Sequence, residues 1–215
     1  MWILASKSPR RRAILQMLGQ AFEVESADID ENGIHLALRR EAGGGEIDPA
    51  LLVSRLAAAK GEAVLARRLN ATKIAETPFL QEDWIIISAD TVVALDGVIL
   101  GKPRDEDDAV AMLRRLAGRT HTVYTGVCIL RAGKKENPPP IVRQAFVSTA
   151  EVRFLPLDDY LEKFIRDYAA SGIPLDKAGA YGIQDIGAAL VERIDGDFYT
   201  VMGLPFAALR KALFT

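Results

Sequence analysis

The segment that decides the fold comprises residues 84–100, with the sequence WIIISADTVVALDGVIL. Its first part, Trp84 to Ile87, is continuously apolar and rich in β-branched side chains, which is typical of a strand covered on both faces. We predict that this strand ends at Asp90, because a carboxylate at the carboxyl end of a buried strand is a usual place for chemistry in an open α/β sheet. The alternative is an acid that nearby backbone N–H groups satisfy.

A β-hairpin is predicted directly after Asp90. The turn dipeptide Asp96-Gly97 lies between two short apolar runs, Val92 to Leu95 and Val98 to Leu100, which is the strongest short hairpin signal. Lys102 follows in GVILGKP, which resembles a phosphate loop but lacks its glycine spacing and its hydroxyl residue after the lysine. Lys102 therefore either brings a positive charge back toward Asp90 or is a solvated turn lysine.

Outside this segment, short β patterns alternate with helical patterns, which predicts an α/β domain with helices covering a sheet. The stretch from Ile34 to Glu46 is rich in glycine and charge without clear periodicity, so we predict a loop or an insertion whose shape the sequence leaves open. The other predicted strands are Trp2 to Ala5, Val123 to Arg131, Val142 to Phe154 and one near Ala189 to Ile194. The predicted helices run from Ser8-Pro9 to Gly19, from Asp48-Pro49 through Leu69, from Pro103 through Leu116, from Leu157 to Ala169 and onward from Pro205. An exposed loop at Gly133 to Pro140 is predicted to join the strands Val123 to Arg131 and Val142 to Phe154.

An anion site is indicated near the N-terminus, where residues 4–15 have the sequence LASKSPRRRAIL. A strand, two hydroxyl groups and a helix N-terminus follow one another here, so free backbone N–H groups point at the space above Ser6 and Ser8. Helical side chains lean toward the helix N-terminus, which directs Arg10 and Arg11 to the same space. The alternative is an ordinary capped helix with a basic solvent face.

Three further segments contain candidate residues. Glu31 lies in the acidic run SADIDENG and is either a ligand of a divalent ion or an inert loop charge. Lys60 lies beside the apolar stripe of a helix, where lysines commonly rest their stems on the core. In AGAYGIQDIG, glycines surround Tyr181 and Gln184, which suits close approach to a flat ligand and amide recognition of a base, although a plain tight turn fits as well.

Composition excludes several classes of protein. The 215 residues are 49% hydrophobic and 26% charged, which suits one compact unit. Without a long apolar run or a signal-peptide pattern, we expect a cytoplasmic protein with no membrane partner. The net charge of −2 argues against binding to a nucleic-acid polymer. The only cysteine, Cys128, excludes an internal disulfide, and the isolated His35 and His121 give little support to a zinc site.

Six segments, in this order, resemble the motifs of the Maf family of nucleotide pyrophosphatases. They span nearly the whole chain and are LASKSPRRRAIL, VSRLAAAKGEAV, SADTVVALDGVILGKP, AGRTHTVYTGVCIL, PLDKAGAYGIQ and VMGLP. The resemblance implies a single Maf-like domain over residues 1–215, with an elongated mixed β-sheet flanked by helices, two lobes and a central cleft, similar to inosine triphosphate pyrophosphatases. It also implies cleavage of a nucleoside triphosphate into the monophosphate and pyrophosphate, and family members often pair as homodimers.

The resemblance also implies roles for individual residues. Asp90 is expected to be the catalytic acid-base residue, and Glu31 is expected to join it near a divalent metal, Mg²⁺ or Mn²⁺. Carboxylates are weak bases near neutral pH, so a metal-bound water is the expected nucleophile, and Asp90 is either its base or a metal ligand. The residues expected to bind substrate are Ser6, Ser8, Arg10, Arg11, Lys60, Thr91, Lys102 and Gln184.

Three positions bear on the base of the nucleotide. Arg10, Thr91 and Gln184 together resemble the branch that acts on dTTP and UTP, whereas the branch that acts on 7-methyl-GTP carries Gln after the catalytic Asp and Glu at the later position. The sequence thus favours pyrimidine nucleotides, including modified ones. The alternatives are a purine-type pyrophosphatase acting on ITP or 7-methyl-GTP, and a non-catalytic nucleotide-binding regulator of cell division. Residues 34–46 and 70–83 look longer than in compact family members.

Overall fold

The computed structural model describes residues 1–26, 28–74, 82–134 and 139–215. Its strands are β1 (Trp2–Leu4), β2 (Phe22–Val24), β3 (Trp84–Leu95), β4 (Val98–Leu100), β5 (Thr120–Ala132), β6 (Ile141–Phe154) and β7 (Val191–Gly196). Its helices are α1 (Pro9–Gln16), α2 (Glu31–Glu41), α3 (Pro49–Ile74), α4 (Glu106–Leu116), α5 (Asp159–Ala170), α6 (Phe198–Met202) and α7 (Phe206–Phe214). Residues 75–81 and 135–138, which belong to the long segment and the hairpin loop predicted above, lie outside the described residues.

The described strands form one mixed sheet in the order β2-β1-β3-β5-β6-β7, with β4 paired to β3. The β1–β2 and β1–β3 pairs are parallel and the others are antiparallel. This confirms the predicted α/β class with a mixed sheet and flanking helices. The hairpin at Asp96-Gly97 is also confirmed, and both turn residues have positive φ angles of 51° and 80°. β2 and α6 were not predicted.

The strand that carries Asp90 is longer than predicted, and the expectation that it ends at Asp90 is wrong. β3 pairs with β1 over Ile85–Ile87 and with β4 over Val93–Leu95, on the same side, while β5 pairs along its other side. The continuous β5 partner keeps the backbone extended beyond Asp90. Asp90 therefore lies in the middle of β3, between the residues that pair with β1 and those that pair with β4.

The prediction of a loop over Ile34 to Glu46 is also wrong, because residues 34–41 belong to α2. Asp30 caps this helix by accepting a hydrogen bond from the N–H of Gly33 at 2.8 Å. One turn apart, Ile34 and Leu38 pack in a cluster with Leu52 of α3. The apolar residues Ile34, Leu36 and Leu38 alternate along the chain, and glycines follow the helix, so the sequence shows no clear helical periodicity.

Two hydrophobic clusters cover opposite faces of the central strands. Ile86 belongs to the cluster under α3, whereas Ile87 belongs to the cluster under α1 and α7. This confirms that β3 is covered on both faces. A third cluster lies under α4 and α5 and contains Val93 of β3 and Val123 of β5. In the described ranges, no helix is both long and apolar enough to cross a membrane.

Candidate active site

A cavity of about 590 Å³ lies beside the stretch of β3 between its pairing with β1 and its pairing with β4. Its volume lies in the usual range for small-molecule sites. The cavity is lined by every residue predicted to bind substrate or metal, namely Ser6, Ser8, Arg10, Arg11, Glu31, Lys60, Asp90, Thr91, Lys102 and Gln184. The fold therefore brings into one place side chains that lie far apart in the sequence.

One wall of the cavity is the N-terminus of α1. Ser8 is its N-cap and accepts a hydrogen bond from the N–H of Arg11 at 3.4 Å. The buried Ser6 hydroxyl oxygen in turn accepts from the N–H of Ser8 at 3.2 Å. In these bonds both hydroxyl groups act as acceptors, so each keeps its hydrogen to donate to an anion.

Arg11 is held from three sides. Its Nε donates to the carbonyl oxygen of Gly203 at 2.8 Å, its Nη2 to Oγ1 of Thr91 at 3.1 Å, and its Nη1 to Oγ of Ser6 at 3.5 Å. Burial lowers the pKa of Arg11, and the nearby Asp90 acts in the opposite direction. An arginine stays charged under such shifts, so Arg11 is a fixed cation close to Asp90.

Arg10 does not share the position of Arg11. Its Nη1 lies 3.5 Å from a carboxylate oxygen of Asp176, and its side chain is 23% exposed. Burial acts to raise the pKa of Asp176, but Lys177 and Arg10 outweigh it and lower that pKa. Arg10 is thus a partly exposed cation at the cavity wall, with a protein carboxylate beside it.

Lys60 contacts both Asp90 and Glu31. Its Nζ lies 2.5 Å from Oδ1 of Asp90 and 2.7 Å from Oε1 of Glu31. The side chains of Lys60 and Asp90 are each only 14% exposed, whereas that of Glu31 is 54% exposed. Burial acts to raise the pKa of Glu31, but the hydrogen bond and charge of Lys60 outweigh it and lower that pKa.

The pair Glu31 and Asp90 suits a hard divalent cation. No cluster of three or more His, Cys, Asp or Glu side chains fit for a metal occurs in the described part of the chain. Mg²⁺, however, commonly takes one or two carboxylates and completes its shell with phosphate oxygens and water. One oxygen of each carboxylate bonds to the same ammonium group, so Lys60 lies between the two side chains that could hold such a cation.

The glycine-rich turn also lines the cavity. Gly179 has a φ of 69°, and a Cβ on it would come within 2.9 Å of the Val93 side chain, so only glycine permits this contact with β3. The buried Tyr181 bonds through its hydroxyl to Nε2 of His121 at 2.8 Å. Gln184, which is exposed, lines the cavity beyond this rigid turn.

Two site residues in the motif PLDKAGAYGIQ were not singled out from the sequence. The buried Lys177 lies 2.7 Å from Asp176 and 3.5 Å from Asp185, and it also lines the cavity. It thereby connects the carboxylate beside Arg10 to the glycine-rich turn. The signal in the sequence was the adjacent pair of opposite charges, Asp176 and Lys177, directly before the glycines.

His35 is a third residue that sequence reasoning missed. It lies one helical turn after Glu31 on α2, lines the same cavity, and its charge contributes to the lowered pKa of Glu31. The i,i+4 spacing would have placed it beside Glu31 had the helix been predicted.

Comparison with known proteins agrees with this geometry. A family model described as Maf-like protein matches residues 1–215. Similar proteins from Thermotoga maritima, Clostridium perfringens and Thermus thermophilus, each named dTTP/UTP pyrophosphatase, are 39%, 43% and 42% identical. These matches cover 99%, 98% and 94% of this chain and 87%, 94% and 88% of the relatives. The chain therefore belongs to the family of Maf-like proteins.

Proposed function

We propose that this protein is a nucleoside triphosphate pyrophosphatase that hydrolyses dTTP and UTP, or modified pyrimidine nucleotides, to the monophosphate and pyrophosphate. The observation that carries the proposal is the cavity itself, which Arg10, Arg11, Lys60 and Lys102 line together with Asp90. With Lys7 and Lys177, six cationic side chains of the described residues line the cavity against three carboxylates, which suits a polyanion far better than any neutral ligand. The relatives named dTTP/UTP pyrophosphatase support the same substrate class.

The phosphate chain is proposed to lie between the α1 N-terminus and Lys102. Ser6 and Ser8 offer hydroxyl hydrogens there, and Arg11 offers a guanidinium whose direction is fixed by its protein partners. The exposed Lys102 and the partly exposed Arg10 can adjust to the ends of the phosphate chain. Positive charge held in place stabilises the negative charge that develops on the departing pyrophosphate.

Asp90 is proposed to act on the attacking water. The side chain lines the cavity, is mostly buried, and is held by Lys60 at 2.5 Å. A divalent metal, Mg²⁺ or Mn²⁺, held by Glu31 and Asp90, would supply a water of lowered pKa and neutralise phosphate charge. Asp90 orients the attacking water or takes its proton, and Lys60 keeps the carboxylate in place.

Recognition of the base is proposed to depend on the glycine-rich turn. Tyr181, Gly182 and Gln184 all line the cavity, and the bond to His121 fixes Tyr181 in place. A side-chain amide both donates and accepts, so it can pair with the alternating N–H and C=O groups of uracil or thymine.

The test is a substrate panel on the purified protein. We would incubate it with dTTP, UTP, CTP, GTP, ITP and 7-methyl-GTP, with and without Mg²⁺ or Mn²⁺, and measure pyrophosphate and monophosphate separately. The expected result is metal-dependent release of both products, fastest from dTTP and UTP. Preference for ITP or 7-methyl-GTP would favour the purine alternative, and nucleotide binding without any turnover would favour the regulator.

A further inference from the structure

Arg11 is the first member of a line of hydrogen bonds that runs from the cavity into the core. Its Nη2 lies 3.1 Å from Oγ1 of Thr91, which lies 2.9 Å from Oγ1 of Thr125. Thr125 Oγ1 lies 2.7 Å from the carbonyl oxygen of Thr200. The line therefore joins α1, β3, β5 and α6.

The line has a fixed direction. A carbonyl oxygen only accepts, so the single hydroxyl hydrogen of Thr125 is donated to Thr200. Thr125 must then accept at its contact with Thr91, which means that the hydrogen of Thr91 is donated to Thr125. Thr91 Oγ1 is left as an acceptor for the guanidinium of Arg11, and it has no hydrogen to offer to a ligand.

The far end of the line is rigid. Thr91 and Thr125 are directly opposite each other in the β3–β5 register, and Thr125 is fully buried. Thr200 is also fully buried, and its N–H and hydroxyl both donate to Asp197, the N-cap of α6. Movement of any member would leave a buried polar group unpaired, which is unfavourable.

The same network reaches Arg11 from a second side. Gly203 ends α6 with a φ of 103° and presents its carbonyl oxygen to Arg11 Nε at 2.8 Å. A Cβ at this position would lie 3.1 Å from Thr91 Oγ1 and 3.4 Å from Arg11 Nε. With the bond to Ser6 included, three of the five guanidinium N–H groups have acceptors among the described residues, and two are left for a ligand.

We propose that Thr125 is a positioning residue that fixes the guanidinium of Arg11 through Thr91, and that Thr91 influences the substrate through Arg11 rather than by bonding the base. Only the kinetic consequence of this inference rests on the proposed function. It predicts that loss of either hydroxyl weakens the use of all nucleotide substrates to the same extent.

The kinetic test compares Thr125→Val with Thr125→Ser. Thr125→Val is expected to lower kcat/KM for dTTP and UTP by about tenfold, the effect of weakening one bond to a charged group. The ratio of kcat/KM for dTTP and UTP to kcat/KM for CTP and GTP should stay constant. Thr125→Ser should restore activity. Thr122→Val, on the opposite face of β5 and outside the network, is the matched control that should behave like the wild type. In an Arg11→Ala background, Thr125→Val should have no further effect.

A spectroscopic test decides the anchoring without any substrate. The Nη2–H of Arg11 that donates to Thr91 should give a slowly exchanging cross-peak in ¹H–¹⁵N spectra, assigned by its loss in Arg11→Lys. The cross-peak should broaden or disappear in Thr125→Val and persist in Thr125→Ser and Thr122→Val. Thr91→Val, at a less buried position, should have the same effect if Thr125→Val does not fold.

Two results would overturn the proposal. One is an unchanged Arg11 signal together with unchanged kinetics in Thr125→Val. The other is an altered preference among bases in Thr91→Val while the Arg11 signal persists, because that result would assign direct contact with the base to Thr91. If the wild type hydrolyses no nucleotide, the proposed function fails, whereas the Arg11 signal still decides whether Thr125 anchors this side chain.

Discussion

At the scale of single residues, Asp90 and Lys60 form the most buried charged contact of the cavity. The ammonium group lies 2.5 Å from the carboxylate, and both side chains are 14% exposed. The two side chains hold each other in place, because movement of one would take a counter-ion away from the other mostly buried charge. The neighbouring Glu31 is more exposed and can change partners more easily.

Asp90→Asn is expected to retain the fold and to lower turnover by at least about 100-fold, the scale of lost acid-base catalysis. An amide of the same shape keeps the packing but neither takes a proton nor binds a cation well. The measurement is kcat for dTTP, with the circular dichroism spectrum as the control for folding. Turnover close to that of the wild type would remove Asp90 from the chemistry.

Gln184→Glu is expected to weaken the use of dTTP and UTP, because an amide that donates and accepts becomes a charged acceptor. The side chain is exposed, so the fold should be unaffected. The measurement is kcat/KM for each nucleotide in the substrate panel. If the profile does not change, Gln184 does not contact the base.

His121 predicts how stability depends on pH. It is 2% exposed, and burial lowers its pKa from 6.5 to about 4. The folded state thus holds the imidazole neutral, and its stability is full above pH 6.5 and is lost as the pH falls toward 4. The shift corresponds to roughly 3 kcal/mol over that range.

The matched variant is His121→Gln, which cannot titrate but whose amide can still pair with the hydroxyl of Tyr181. Urea unfolding of both proteins between pH 4 and pH 7 is expected to show a steeper loss of unfolding free energy in the wild type. Parallel pH curves would show that His121 is not held neutral by the fold.

At the scale of elements, the site depends on how closely α3 lies on the sheet. Gly126 of β5 is the register partner of Asp90, and a Cβ on it would come within 2.5 Å of the carbonyl oxygen of Val53. On the same helix, a Cβ on Gly61 would come within 2.8 Å of Ser88 Oγ. These two glycines allow α3 to bring Lys60 against Asp90.

Gly126→Ala is therefore expected to destabilise the protein by about 3 kcal/mol or more, because the obstacle is backbone that cannot rotate away. Gly101→Ala is the control, since a Cβ there meets open space and Gly101 has no positive φ. Urea unfolding measures both. Equal stabilities for the two variants would mean that α3 can lift from β5 without penalty.

At the scale of the whole molecule, β3 and β5 each pass through more than one hydrophobic cluster. Val93 and Val123 belong to the cluster under α4 and α5, whereas Ile86 and Leu130 belong to the cluster under α3. We propose that residues 1–215 form one domain of two lobes, with the cavity between them. The homodimer and the cytoplasmic location expected from the sequence remain predictions.

Such a domain is expected to unfold in a single transition, because two continuous strands couple its parts. Trp84 belongs to the cluster under α3 and Trp2 packs against the cluster under α1 and α7, so tryptophan fluorescence reports that end. Far-UV circular dichroism reports the whole chain. The two urea midpoints should coincide, and separated midpoints would indicate two independent domains.

The sequence by itself determined the features that depend on local pattern. The apolar run at Trp84, the turn dipeptide at Asp96-Gly97 and the Ser8-Pro9 cap each have a short-range physical cause, and each is present in the structure. Motif order across the chain was enough to identify the family. Ten candidate residues for substrate and metal were likewise chosen from the sequence, whereas Asp176, Lys177 and His35 were not.

Only the tertiary structure decided how these residues are arranged. Asp90 lies in mid-strand because β5 extends the pairing, α2 forms because α3 offers an apolar partner, and Arg11 is held by Gly203 from the far end of the chain. The cause in each case is a contact between segments distant in sequence, whose free energy no local pattern contains.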